Sequence, residues 1–236
     1  MTDIHSHLIP EVDDGSFSLE MSEIMIFMAY QQGVRTFFTT PHSSAFLADP
    51  ERVRKNYQSL KEQTEKLPLG IKIFPGCEVR CDIAHMGETM EHLKSGRFPS
   101  MNGTRYVLTE FSVRIQPSEA LQIIFLMRKA GWRPVIAHME RYPFLDDGKT
   151  TEKMLDMGCF LQINAYSLEK DDEGDFKRAR KLLLEEKVSF LGSDTHRMNH
   201  RPPSVEKGLC YLYEHCSGEY ADAVAFENAR KYLLTS

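Results

Sequence analysis

Two histidines, His5 and His7, stand at i and i+2 in the run Asp3-Ile4-His5-Ser6-His7. On an extended segment such residues point to the same side, so both imidazoles can converge on one ion. A pair alone holds a metal weakly and needs further ligands. The sequence offers Asp13 and Asp14, His42, Glu78, Glu110, His138, Asp194 and His196, each at the end of a predicted strand or in the loop just after one. Asp194-Thr195-His196 repeats the i, i+2 geometry and is the strongest independent support for a shared centre. Taken singly, His42 or His138 reads as a hydrogen-bonded histidine near the surface; only their common placement argues otherwise. His85, His92, His200 and His215 lack that placement and are expected to be structural or surface residues.

Imidazole and carboxylate without thiolate suit Mn, Fe(II) or Zn, and affinity order alone does not choose between them. So many ligands exceed the roughly four to six positions of a single ion, so two or three ions are expected. A carboxylate such as Glu78 is the type of group that bridges a pair. Clustered divalent ions lower the pKa of a bound water and stabilise attacking and leaving oxygens during displacement at phosphorus, so hydrolysis of a phosphate ester is the natural reaction. A cysteine phosphatase is disfavoured: none of Cys77, Cys81, Cys159, Cys210 and Cys216 has an arginine six residues further on to cradle phosphate around a thiolate.

The elements that must position these residues follow from the pattern. Thr2 to Ile4 reads as a first strand, and Ser18 as the N-cap of a helix over 19–32 that Gly33 stops. The β-branched and aromatic run at 34–39 is a strand that delivers His42. Asp49-Pro50 opens a charged helix over 51–67. Further strands are predicted at 71–74, before Glu78; at 105–110, ending on Glu110; at 134–137, delivering His138; at 159–164; and at 188–192, ending at Asp194. Helices are predicted at 118–129, 151–157, 175–187, 204–216 and 218–234. Residues 80–102 suggest a short helix and an irregular connection, and no chemistry is assigned to them.

Seven strands alternating with helices point to parallel β/α architecture. In such barrels the chemistry sits at the C-terminal ends of the strands, and five of the seven end on a residue of the proposed set. No glycine-rich phosphate fingerprint follows the first strand, which disfavours an open doubly wound sheet. The expectation is an α/β fold, a distorted (β/α)7 TIM-like barrel, with residues 1–236 forming a single domain.

Composition sets outer limits. At 236 residues, 42% hydrophobic and 27% charged, the chain can bury a sizeable core. A net charge of -5 without long runs leaves no basic stripe for a nucleic acid. Five cysteines, an odd number with no C-x-x-C, read as reduced and cytoplasmic. No secretory leader is visible and no apolar run approaches the ~18 residues that span a bilayer.

Several motifs together carry a resemblance. Asp3-Ile4-His5-Ser6-His7 with Asp13-Asp14-Gly15, Thr40-Pro41-His42, Gly76-Cys77-Glu78, Glu110-Phe111, Ala137-His138-Met139-Glu140-Arg141, Ser193-Asp194-Thr195-His196 and Arg201-Pro202-Pro203 occur in that order over nearly the whole chain. The set resembles the PHP (polymerase and histidinol phosphatase) family, and more closely the manganese-dependent tyrosine-protein phosphatases of bacterial capsule and exopolysaccharide loci. That resemblance implies a distorted (β/α)7 barrel with three metals. His5, His7, Glu78 and Asp194 would hold one ion, Glu78, Glu110 and His138 a second, and Asp14, His42 and His196 a third. Spacing left Asp13 and Asp14 equivalent; the family pattern favours Asp14. It also implies Mn2+ as cofactor, with Fe or Zn as alternatives, and metal-activated hydroxide as nucleophile. The implied partner is a phosphotyrosine protein, namely the tyrosine-rich tail of a capsule-assembly kinase.

Arg141, three residues beyond His138, and Arg201, beside two prolines, are placed to bind the phosphate's non-bridging oxygens, mainly on the resemblance. Tyrosine leaves as a phenol of pKa ~10, whereas a serine or sugar hydroxyl leaves as a far more basic alkoxide. No general acid stands out, so aryl phosphates are the expected substrates. Two alternatives use the same ligands: a histidinol-phosphate phosphatase of the same superfamily, and a metal-stabilised module that binds the kinase tail without turnover.

Overall fold

The computed structural model describes residues 1–169 and 174–235. β1 (Thr2–Ser6), β2 (Thr36–Thr39) and β3 (Lys72–Pro75) pair in parallel in chain order. β4 (Glu78–Arg80), β5 (Tyr106–Glu110), β6 (Arg133–Ile136), β7 (Phe160–Asn164) and β8 (Phe190–Gly192) form a second parallel run, again in chain order. Helices cover the outside, as parallel sheets buried on both faces require: α1 (Leu19–Gln31), α2 (Ser43–Ala48), α3 (Pro50–Lys66), α4 (Met86–Lys94), α5 (Pro117–Lys129), α6 (Lys149–Asp156), α7 (Asp175–Leu184), α8 (Glu206–His215), α9 (Gly218–Asp222) and α10 (Asn228–Tyr232).

Two seams turn the arcs into a ring. At one, Gly76 N donates to Thr39 O at 3.0 Å and Glu78 N to Pro41 O at 3.1 Å. At the other, Asp194 N donates to His5 O at 2.8 Å and His7 N to Thr195 O at 2.9 Å, which joins the last strand to the first. The expected distorted β/α barrel is therefore present, with one difference at its third strand. Glu78 does not lie in a loop beyond residues 71–74; it begins a separate short strand. Pro75 has no N–H to donate, and a Cβ on Gly76 would lie 3.0 Å from both Met101 Sδ and Thr40 Cγ2. The strand breaks at this close approach, and the chain passes from pairing with β2 to pairing with β5. Seven barrel positions thus hold eight strand segments among the described residues.

The helix boundaries have local causes. Ser18 Oγ accepts from Met21 N at 3.1 Å and starts α1, and Asp49 Oδ1 accepts from Arg52 N at 3.0 Å ahead of Pro50. The short helix α2, directly after His42, is absent from the sequence reading. The helix predicted over 218–234 is divided, with a wider π-type turn at Ala223–Glu227 between α9 and α10.

Alternate residues of β5 and β6 enter different cores. Val107 and Ile136 pack with Ile123, Ile124 and Met127 of α5. Tyr106, Leu108, Val135 and Ala137 instead join Ile4, Phe38 and Phe190, together with Ala229 and Leu233 from the C-terminal segment. That segment meets the starts of the strands: the Tyr232 ring lies 4.9 Å from Phe160 and 5.7 Å from Tyr106, and Asn102 Nδ2 donates to Leu233 O at 3.2 Å. The apolar plug fills one end of the barrel and leaves polar chemistry to the other. Among the described residues no helix is long and apolar enough to cross a membrane.

Candidate metal centre

All nine residues of the proposed ligand set meet at one end of the barrel, at or just past the C-terminal ends of the strands except for Glu78, which opens β4. His5, in β1, and His7, just past its end, both buried, bring their Nε2 atoms to 3.3 Å of each other. Around them, His5 Nε2 lies 3.4 Å from Glu78 Oε1 and 3.6 Å from Asp194 Oδ1, and His7 Nε2 lies 3.5 Å from Glu78 Oε2 and 3.6 Å from Asp194 Oδ1. Glu78 also reaches His138 Nε2, 2.8 Å from its Oε1, and His42 Nδ1, 2.8 Å from its Oε2. Glu110 Oε1 stands 3.8 Å from His138 Nε2. Three sets of ligand atoms lie within 4.8 Å of one another: His5, His7 and Asp194; His42, Glu78 and Glu110; and His7, Asp14, His42 and His196. They differ from the grouping implied by the resemblance in three ways: Glu78 is outside the first set although it lies 3.4 Å from His5 Nε2, His42 stands in the second in place of His138, which touches Glu78 and Glu110, and His7 joins the third.

The neighbouring aspartates have different tasks. Asp13 is turned inward: its Oδ2 accepts from His7 Nδ1 at 2.8 Å and from His42 N at 3.1 Å, and its Oδ1 accepts from Gly15 N at 2.9 Å. Asp14 instead faces His42 Nε2 at 3.2 Å and His196 Nε2 at 3.5 Å. Gly15 makes this turn possible, because a Cβ there would fall 2.3 Å from His7 O.

β7 supplies no ligand, and its role escaped the sequence reading. Gln162 Oε1 accepts from His138 N at 2.8 Å and lies 3.2 Å from His5 Nδ1. Gln162 Nε2 donates to Asn164 Oδ1 at 2.9 Å, and Asn164 Nδ2 donates to Asp194 Oδ2 at 3.2 Å. The only advance signal was a buried strand with two amides at i and i+2, which sequence alone reads as ordinary core polarity. Glu140 is likewise sealed in the interior, with Oε1 accepting from Asn164 N at 3.0 Å and from Ser167 Oγ at 2.7 Å. It ties the turn after β6 to the turn after β7.

Both predicted arginines line the centre. Arg141 Nη2 donates to Asp194 Oδ2 at 2.5 Å and to Tyr166 Oη at 3.0 Å. Arg201 Nη1 lies 3.4 Å from the same Asp194 oxygen and 3.3 Å from His196 Nε2. Asp194 thus turns one oxygen to the imidazoles and the other to the guanidinium groups. His138, Asp194 and Arg201 all have positive φ, at 32°, 52° and 52°. Non-glycine residues there cost on the order of 1–3 kcal/mol each, which surrounding contacts must offset. Of the other histidines, His200 is exposed and only approaches His196 edge-on at 6.4 Å, His92 packs against Phe98, and His215 stacks on Tyr211.

The electrostatics fit cations. Burial works against charge at His5, but Glu78 and Asp194 outweigh it and raise its pKa. Burial opposes charge at His7 too, and Asp13 followed by Glu78 holds it well above the usual imidazole range. Glu78 and Asp194 resist the same burial and stay ionised, held low chiefly by His5 and, for Asp194, then by Arg141. His196 is pushed down to about 4 by burial and by the neighbouring His7. With His5 Nδ1 and His7 Nδ1 donating to Gln162 and Asp13, the two Nε2 atoms face each other at 3.3 Å, where neutral rings would set lone pair against lone pair. A proton, which the raised pKa values favour when no metal is bound, or a metal ion relieves that repulsion. Glu78 Oε2 is buried without a well-directed hydrogen bond although two imidazoles stand within 3.5 Å. Convergent lone pairs and an orphaned carboxylate oxygen are what a divalent metal satisfies.

Comparison with known proteins agrees with this arrangement. The profile of a family described as capsular polysaccharide synthesis, CpsB/CapC, matches residues 1–234. Tyrosine-protein phosphatase CpsB of Streptococcus pneumoniae is 31% identical over 243 residues, covering 99% of this chain and 98% of the relative. Tyrosine-protein phosphatase YwqE of Bacillus subtilis (strain 168) is 30% identical over 237 residues, covering 99% and 91%. A crystal structure from work on YwqE and CpsB, called there unique metal-dependent tyrosine phosphatases, matches with a TM-score of 0.85 at 30% identity over 99% of this chain and 94% of that one. A phosphotriesterase homology protein from Escherichia coli shares the fold at a TM-score of 0.55 and 14% identity, over 98% of each chain.

Proposed function

The chain belongs to the CpsB/CapC family of capsular polysaccharide synthesis, and from that premise we propose that it is a metal-dependent protein-tyrosine phosphatase acting as one catalytic domain. The convergence of His5, His7, Asp14, His42, Glu78, Glu110, His138, Asp194 and His196 beside two arginines carries the reading. These nine residues would hold two to three ions, Mn2+ first among Mn, Fe and Zn, with Glu78 between sites. Divalent ions bound there supply an acidified water and neutralise charge on the phosphoryl oxygens.

The chain's own residues set the rest. Arg141 and Arg201 approach one oxygen of Asp194 from two directions, so their remaining N–H groups can take the non-bridging oxygens of a phosphate between them. Substrate choice follows from which groups can give a proton to the leaving oxygen: with the histidines of the centre taken as ligands in this reading, the carboxyls remain. Among the described residues Asp3, raised to about 6 by burial, and Glu140, raised by burial, are the carboxyls with elevated pKa. Both are sealed from solvent and bonded to backbone N–H groups, Asp3 to His5 and Ser193, Glu140 to Asn164. Neither can protonate a departing alkoxide. A phenolate, with pKa ~10, leaves without that help. Phosphotyrosine is therefore favoured over phosphoserine or histidinol phosphate. The partner in this reading is the phosphorylated tyrosine-rich tail of a capsule-assembly kinase, met in the cytoplasm.

The test is hydrolysis of matched phosphotyrosine and phosphoserine peptides, with histidinol phosphate alongside, by metal-stripped protein resupplied with Mn2+. Turnover of phosphotyrosine at least tenfold faster than the other two is expected. Comparable rates on phosphoserine, or a preference for histidinol phosphate, overturn the substrate; binding of phosphotyrosine without turnover overturns the enzyme.

A further inference from the structure

Tyr166 follows β7 in the turn Ala165–Leu168 and is half-buried, with its ring edge-on to Phe176 at 6.5 Å. Its hydroxyl accepts from Arg141 Nη2 at 3.0 Å and, at the limit of a hydrogen bond, from Asn164 Nδ2 at 3.5 Å. A phenol has two acceptor positions and a single proton to donate. Both acceptor positions face donors, and the proton meets no acceptor among the described residues. A cationic donor on the oxygen also polarises the O–H bond and strengthens it as a donor. The unspent proton lies beside Arg141, whose other contact is the Asp194 oxygen that Arg201 approaches at 3.4 Å.

We propose that Tyr166 is a third donor to the transferred phosphoryl group, giving its hydroxyl hydrogen bond to a non-bridging oxygen alongside Arg141 and Arg201. The inference rests on the phosphatase reading above and adds to it a neutral donor that no motif announced. No proton is transferred and no bond in the protein changes. The contact is made to ground state and transition state alike and strengthens as charge gathers on the phosphoryl oxygens. Its loss is then felt by any phosphate monoester, whatever the leaving group.

The experiment compares wild type, Tyr166→Phe, Arg141→Ala and the double variant, all Mn-loaded. Three quantities are measured: kcat/KM on a phosphotyrosine peptide and on p-nitrophenyl phosphate, affinity for orthovanadate by calorimetry, and metal content with melting temperature. Tyr166→Phe is expected to lose roughly tenfold to a hundredfold in kcat/KM on both substrates and a similar factor in orthovanadate affinity. Metal content and melting temperature should stay at wild-type values, and the orthovanadate loss should persist in the Arg141→Ala background. A change under twofold overturns the proposal. So does a loss that vanishes once Arg141 is gone, which would make Tyr166 a prop for the arginine, and so does a fall in metal content. Should wild type fail to hydrolyse either substrate, the phosphatase reading falls, and orthovanadate affinity still reports on Tyr166 by itself.

Discussion

Asp13 and Asp14 are adjacent and chemically identical, yet one holds His7 in place and the other faces His42 and His196. Spacing could not separate them, because the distinction lies in which way each carboxyl turns, and that is set by Gly15 N and His7 Nδ1. Asp13→Ala removes the acceptor that fixes His7 with Nε2 directed inward. A loss of about 10–100-fold in Mn2+ affinity is expected, with much of the activity restored at saturating metal, read by calorimetry and metal titration of the rate. Gln162→Leu frees His5 Nδ1 and leaves His138 N without its acceptor. It should weaken metal by a comparable factor and lower stability by about 1–3 kcal/mol, measured by denaturant unfolding. The candidate ligands could be picked out because histidines and carboxylates recurred at strand ends, and the fold brings them together. Gln162, Asn164 and Tyr166 were not, since an amide or a phenol on a buried strand or turn declares nothing until its partners, far away in the chain, are known.

At the level of elements, the strands were readable as β-branched and aromatic runs, and the capped helices by Ser18 and Asp49-Pro50. The break at Pro75-Gly76 was visible, but its consequence was not: it lets Glu78 start a new strand and stand between the histidines of β1, β2 and β6. The seam between β8 and β1 depends on the absence of one side chain. A Cβ on Gly192 would lie 2.6 Å from His5 Cβ and 2.9 Å from Gln162 Nε2. Gly192→Ala must push β8 away from β1. It is expected to cost about 1–3 kcal/mol and to lower metal content sharply, with Gly87→Ala, where a Cβ meets nothing within 4 Å, as the silent control. Equal metal content in the two variants would show that the strands yield without cost to the centre.

For the whole molecule, repetition of strand, helix and ligand was enough to expect a barrel, whereas how its ends are closed was not. The C-terminal segment was read as one long helix; it is divided at Ala223–Glu227, which lets Ala229 and Leu233 reach the strand starts. Leu233 is fully buried, so Leu233→Ala should cost about 2–5 kcal/mol in urea unfolding while kcat/KM at 25 °C stays within twofold, because the plug lies at the end of the barrel away from the ligands. The seam between first and last strands has a different consequence, one of timing. Ser193 N and its acceptor Asp3 Oδ1 are 190 residues apart in sequence. His5 and His7 are made long before Asp194 and His196, and Asp14, His42, Glu78, Glu110 and His138 come between, so the emerging chain gathers most of the proposed ligands before the strand that closes the ring. Closure of the proposed centre waits on the arrival of the eighth strand, and a stalled translation product ending before it lacks Asp194, His196 and the seam that binds them to β1.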